Sequence, residues 1–126
     1  MDTSKIPFNN PDRSLPFFGM GEVFYEMEEF EAAARSFLKA REVRESVLGI
    51  EHVQTASVFN NLGCCFFMLR RSQEALGYVE IAEAVLDTEL GPHHERTMTS
   101  RSNLKKLCQG TFDNQPAFRK FWEVFE

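Results

Sequence analysis

The sequence has 126 residues, 43% hydrophobic and 26% charged, and these proportions favour a folded chain with one core over a disordered one. Its formal net charge of −5 argues against nucleic-acid binding, which needs clustered Lys and Arg to neutralise phosphates. We find no run of about 18–20 apolar residues and no signal-peptide pattern, so neither a membrane span nor secretion is expected.

The first predicted element is an N-terminal arm, residues 1–13, which we expect to be extended because Pro and Asn interrupt it. A helical hairpin follows, with large, large, Gly and aromatic positions in its first helix and small, large and small positions in its second. These positions are Phe17, Met20, Gly21 and Phe24, then Ala33, Phe37 and Ala40. Small residues let two antiparallel helices approach closely, while large ones fill the space between them.

The same pattern recurs 42 residues later, and the loop between the two copies repeats as well. Six identities fall at this offset: Leu48, Gly49, His52, Thr55, Asn61 and Leu62 match Leu90, Gly91, His94, Thr97, Asn103 and Leu104. A third, degenerate copy ends with Ala117, Phe121 and Val124. The expected helices are therefore 15–28, 31–47, 53–69, 73–89, 95–109 and 116–126.

These residues resemble the 42-residue tetratricopeptide repeats of kinesin light chains and related proteins, over about residues 14–110. The matching segments are AREVRESVLGIEHVQTASVFNNLG and its partial copy VLDTELGPHHERTMTSRSNL, with Val53 and Glu95 where the family pattern has Pro. The resemblance implies an all-α fold, an α-α superhelix or tetratricopeptide solenoid of about three helical hairpins. We expect this domain to span residues 14–126, with repeats at about 14–52, 56–94 and 98–126.

The resemblance also implies a concave groove, lined by the first helix of each repeat, that takes peptides from partner proteins. The expected groove residues are Phe18, Glu22, Tyr25, Asn60, Asn61, Cys64, Phe67, Asn103 and Lys106. Asn61 and Asn103 occupy equivalent positions, and an amide can donate to and accept from a peptide backbone at once. The alternative is that these amides meet only local polar groups or water.

A second partner-binding surface is expected on the last predicted helix, where Phe118, Trp122 and Phe125 form an apolar stripe. Equivalent positions in the earlier repeats are mostly smaller or charged, and no further copy of the pattern follows in these 126 residues. We expect this stripe to dock a partner or a second subunit through Trp122. The alternative is that the stripe folds back and becomes core of the third repeat.

No catalytic, cofactor or metal site is expected. Cys64, Cys65 and Cys108 form no CxxC pair and are interpreted as small buried residues of a reducing compartment. His93 and His94 are adjacent, so their side chains diverge and do not suit a metal.

We therefore predict a non-catalytic protein-protein interaction module, an adaptor or scaffold with a protein or peptide partner and no enzyme activity. A cytoplasmic location is expected, and the resemblance adds the cytoskeleton. The alternative function is a structural subunit or spacer within a larger cytoskeletal, motor or ciliary assembly. A small enzyme is the weakest of the three hypotheses, because neither a nucleophile motif nor a phosphate-binding loop occurs.

Overall fold

The computed structural model describes residues 11–109, and within that range every element is helical. A short 3-10 helix leads into five α-helices, and the expected all-α fold is confirmed. The elements are the 3-10 helix Pro11–Ser14, α1 Leu15–Glu26, α2 Phe30–Leu48, α3 Val53–Met68, α4 Ser72–Leu90 and α5 Glu95–Gln109.

Two expected elements fall wholly or partly outside the described residues. The predicted helix 116–126, with Phe118, Trp122 and Phe125, lies beyond them, as do residues 1–10 of the arm. Residues 11–13, which we expected to be extended, instead begin the 3-10 helix. Proline with its fixed φ suits the first turn of a helix, which is where Pro11 stands.

The two inter-repeat loops are built alike, which explains why their residues recur in the sequence. Gly49 and Gly91 follow α2 and α4 with φ of 87° and 90°, a backbone conformation that favours glycine. The next helix is then capped by a histidine in each loop. Nδ1 of His52 accepts from the Gln54 N–H at 3.0 Å, and Nδ1 of His94 accepts from the Arg96 N–H at 3.1 Å.

Each hairpin closes over a glycine in its first helix. A Cβ built on Gly21 would lie 2.7 Å from the Phe37 ring, and one on Gly63 would lie 2.4 Å from Cγ2 of Val79. Both partner side chains are fully buried, so the glycines allow the two helices of a hairpin to touch. The spacing pattern in the sequence therefore marks real points of close approach.

Successive repeats stack through α2 on α3 and α4 on α5, and the two junctions use equivalent positions. The Arg41 guanidinium lies 5.0 Å from the centre of the Phe59 ring at the first junction. At the second junction the equivalent residues are Glu83 and Arg101, which form an ion pair at 2.8 Å. The stacking geometry is thus repeated while its chemistry changes.

Candidate protein-binding surface

The first helix of each repeat, α1, α3 and α5, carries the residues expected to line the groove. Phe18 and Glu22 on α1 and Lys106 on α5 are partly exposed, so solvent reaches them. Their positions in the first and third repeats place side chains of opposite charge at the two ends of the stack. Electrostatic asymmetry of this kind can orient a charged partner.

The other expected groove residues are buried. Tyr25 is 8% exposed and Phe67 2%, whereas four further members have no exposed area: Asn60, Asn61, Cys64 and Asn103. The helix α3 is buried continuously over residues 55–67. From the sequence we expected Asn60, Asn61, Cys64 and Phe67 to line an open groove. The structure instead buries residues on every side of this helix.

A buried polar cluster joins α3 to α5. Oδ1 of Asn60 accepts hydrogen bonds from Ser100 Oγ at 2.9 Å and from Asn103 Nδ2 at 3.3 Å. Nδ2 of Asn60 is buried without a hydrogen-bond acceptor. Ser100 was not among the residues predicted from the sequence. A signal was available, because Ser100 places a hydroxyl where the second repeat has the apolar Val58.

A second cluster, also missed from the sequence, surrounds Arg44 near the start of α3. This side chain is only 7% exposed, and it donates from Nε to Ser14 Oγ and from Nη1 to the Gln54 carbonyl, both at 2.9 Å. The sequence again carried a signal, because Arg44 is a charged residue where the second repeat has Leu86, which is buried.

Burial, together with the nearby Arg96, lowers the pKa of Arg44 to about 10. Nη1 of Arg96 lies 3.4 Å from Ser57 Oγ, one turn along α3 from Gln54. The Arg44 guanidinium also stacks 4.6 Å from the centre of the Phe18 ring, one of the expected groove residues. Two arginines, Arg44 and Arg96, thus lie at the first turn of α3.

The thiols give no sign of reactivity at the groove. Cys64 and Cys65 are buried, and burial raises the pKa of the Cys65 thiol to about 12, so the thiol stays protonated at neutral pH. The expectation of burial was wrong for Cys108, which is exposed near the end of α5. Within residues 11–109, no three His, Cys, Asp or Glu side chains are grouped to hold a metal ion. No helix in that same range has the length and apolar character required to cross a bilayer.

Comparison with known proteins agrees with this architecture. A family model described as tetratricopeptide repeat matches residues 15–88, which run from α1 through most of α4. No curated protein matches the sequence. The matched residues include both interhelical glycines, the first complete loop and its capping His52, and they form more than half of the sequence. On this evidence the chain belongs to the tetratricopeptide repeat family.

Proposed function

We propose that this protein is a non-catalytic adaptor that binds a segment of a partner protein along the face shared by α1, α3 and α5. Tetratricopeptide repeats generally mediate protein-protein interaction, and membership of the family supports this class of function. The more specific claims concern the residues that bind, the orientation of the bound segment and the cellular setting.

The observation that carries the proposal is the buried polar cluster between α3 and α5. A buried donor without an acceptor costs about 1–3 kcal/mol, so Nδ2 of Asn60 favours a conformation in which an acceptor reaches it. The carbonyl of an extended peptide is such an acceptor. Asn103 lies beside it through its bond to Asn60 Oδ1, and Asn61 occupies the position equivalent to Asn103 in the second repeat.

In this proposal the buried residues form the floor of the groove and the partly exposed ones its rim. The floor comprises Tyr25, Asn60, Asn61, Cys64, Phe67 and Asn103, and the rim comprises Phe18, Glu22 and Lys106. Glu22 would attract a basic residue at one end of the bound segment, and Lys106 would attract an acidic residue at the other. Because the floor side chains have little exposed area, neighbouring side chains must move when a partner binds so that the partner can contact them.

The likeness to kinesin light chains, and a cytoplasmic setting at the cytoskeleton, belong to the proposal as well. So does the second partner surface on Phe118, Trp122 and Phe125. The alternative function, a structural subunit of a cytoskeletal, motor or ciliary assembly, is favoured by one separate observation. Large apolar side chains are exposed at Met20 and Val23 on α1 and at Met27 directly after it.

The rim charges allow a direct test with peptides selected from a displayed library on the 126-residue chain. We expect Glu22→Lys and Lys106→Glu each to weaken binding of the parent's peptides by at least about fivefold, roughly 1 kcal/mol, in isothermal titration calorimetry. Glu42→Lys is the matched control for Glu22→Lys, since it makes the same charge change at an exposed site on α2 and should leave the affinity unchanged.

A compensating result would strengthen the case, because a peptide with its acidic residue replaced by Lys should regain affinity for Lys106→Glu. Equal affinities for the parent and both rim variants would remove the groove from the account. So would a library that yields no binding peptide.

A further inference from the structure

Two arginines from different helices meet at the first turn of α3. Arg44 lies on α2, and its Nη1 donates to the Gln54 carbonyl at 2.9 Å. Arg96 lies on α5, and its Nη1 is 3.4 Å from Ser57 Oγ, three residues further along α3. Like charges brought together in this way repel each other, and an anion bound beside both would relieve the repulsion.

The bonds of Arg44 leave much of its hydrogen-bonding capacity unused. This side chain is buried, and its hydrogen bonds go to two neutral oxygens, Ser14 Oγ and the Gln54 carbonyl. No carboxylate among residues 11–109 forms an ion pair with it. A guanidinium has five N–H groups, of which these bonds use two. A buried charge without an opposite charge is costly, and the stacked Phe18 ring offsets only part of that cost.

The pKa values of the two arginines also favour an anionic ligand. Burial and the charge of Arg96 lower the pKa of Arg44 to about 10, and burial lowers the pKa of Arg96. By contrast, hydrogen bonds to Glu83 and Asp87 raise the pKa of Arg101. A negative group bound beside Arg44 and Arg96 would act on them as these carboxylates act on Arg101, by stabilising the protonated form.

Both arginines are departures from the repeat. The second repeat has Leu86 at the position of Arg44 and Gln54 at the position of Arg96. The pair therefore does not belong to the pattern that closes each hairpin. Phe18, whose ring lies 4.6 Å from the Arg44 guanidinium, is one of the rim residues of the groove. Arg96 and Phe18 are partly exposed, so a ligand in the groove can reach this site.

We propose that Arg44 and Arg96 bind a phosphate group, carried by a phosphorylated side chain of the partner segment. A phosphorylated side chain has a charge of about −1.5 to −2 at neutral pH, which matches two guanidiniums, whereas a carboxylate matches one. Its three terminal oxygens can accept hydrogen bonds from both arginines at once. The origin of the phosphate in a bound segment rests on the proposed function, but the phosphate site itself does not.

Titration with inorganic phosphate tests the site without any peptide. In the isotope-labelled 126-residue chain at constant ionic strength, the Nε–H resonances of Arg44 and Arg96 should shift to saturation, whereas that of Arg35, exposed on α2, should not shift. Arg44→Leu and Arg96→Gln each introduce the residue that the second repeat has, so both should fold. Each should weaken phosphate binding at the remaining arginine by at least about fivefold. Shifts that do not saturate, or that are unchanged in both variants, would overturn the proposal.

Peptides selected from a library with one fixed phosphoserine distinguish this inference from the groove itself. In isothermal titration calorimetry the parent should bind such a peptide at least about tenfold more tightly than its unphosphorylated form. Arg44→Leu and Arg96→Gln should lose this difference and still bind the unphosphorylated form. The matched control Arg35→Gln, which also removes one positive charge, should retain the difference.

Each proposal fails in its own way in this experiment. Equal affinities of the parent for the two forms of the peptide would overturn the phosphate inference and leave binding in the groove intact. So would a peptide with Glu in place of phosphoserine that binds as tightly as the phosphopeptide. If no peptide binds while inorganic phosphate still shifts both arginines, the groove is contradicted and the phosphate site is supported.

Discussion

Two threonines at equivalent positions show how closely the repeats agree in sequence and how they differ in bonding. Thr97 Oγ1 donates to the Leu86 carbonyl at 3.0 Å, whereas Thr55 Oγ1 is buried without a hydrogen-bond partner. The identity of the two residues was visible in the sequence as part of the repeat. The difference in bonding was not, because it depends on the local distance between stacked helices.

This contrast predicts opposite effects for the same substitution. Thr97→Val should lower the free energy of unfolding by about 1 kcal/mol or more, since it leaves the buried Leu86 carbonyl without this bond. Thr55→Val should leave stability unchanged or raise it, because it removes a hydroxyl that is already unsatisfied. Urea unfolding followed by circular dichroism measures both. Equal losses would mean that the two hydroxyls are bonded alike.

At the scale of elements, the described helices agree with the sequence pattern to within about two residues at each end. At the two inter-repeat loops this agreement has a local cause, because a glycine ends one helix and a histidine caps the next. The turns within the hairpins pass instead through Glu28 and Arg70 at positive φ, and no glycine marks them in the sequence. The continuous burial of α3 could not be predicted in the same way. It depends on contacts from elements distant in the chain, of which Ser100 and Arg44 are the clearest instances.

Gly63 and Gly77 differ in whether a neighbouring helix lies against them. Gly63→Ala should destabilise the protein by about 1–3 kcal/mol, since the new Cβ meets Cγ2 of the buried Val79 at 2.4 Å. Gly77→Ala in α4 should stabilise it by roughly 0.5–1 kcal/mol, because nothing lies within 4 Å of the new Cβ and alanine favours helix. Thermal unfolding of both variants decides. If Gly77→Ala costs as much as Gly63→Ala, helix approach is not what the glycine in α3 provides.

For the whole molecule, the 42-residue repeat explains which structural positions could be predicted from the sequence and which could not. Positions that obey the 42-residue period, such as Gly21 and Gly63, could be assigned from one chain, because each copy confirmed the other. Other positions depart from the period. Arg44 replaces the leucine of the second repeat, and Met20 and Val23 lie open where their equivalents are buried. The contacts of these residues can be assigned only when the positions of the neighbouring helices are known.

The central claim is that partner segments bind the face formed by α1, α3 and α5. Amide chemical shifts of the isotope-labelled chain, titrated with a library-selected peptide under conditions that keep the chain monomeric, test this claim most directly. We expect the largest shifts around Glu22, Asn60, Asn61, Asn103 and Lys106, with exposed positions of α2 and α4 such as Glu42 and Glu80 unmoved. Shifts concentrated on α2 and α4, with the first helices unchanged, would contradict the account.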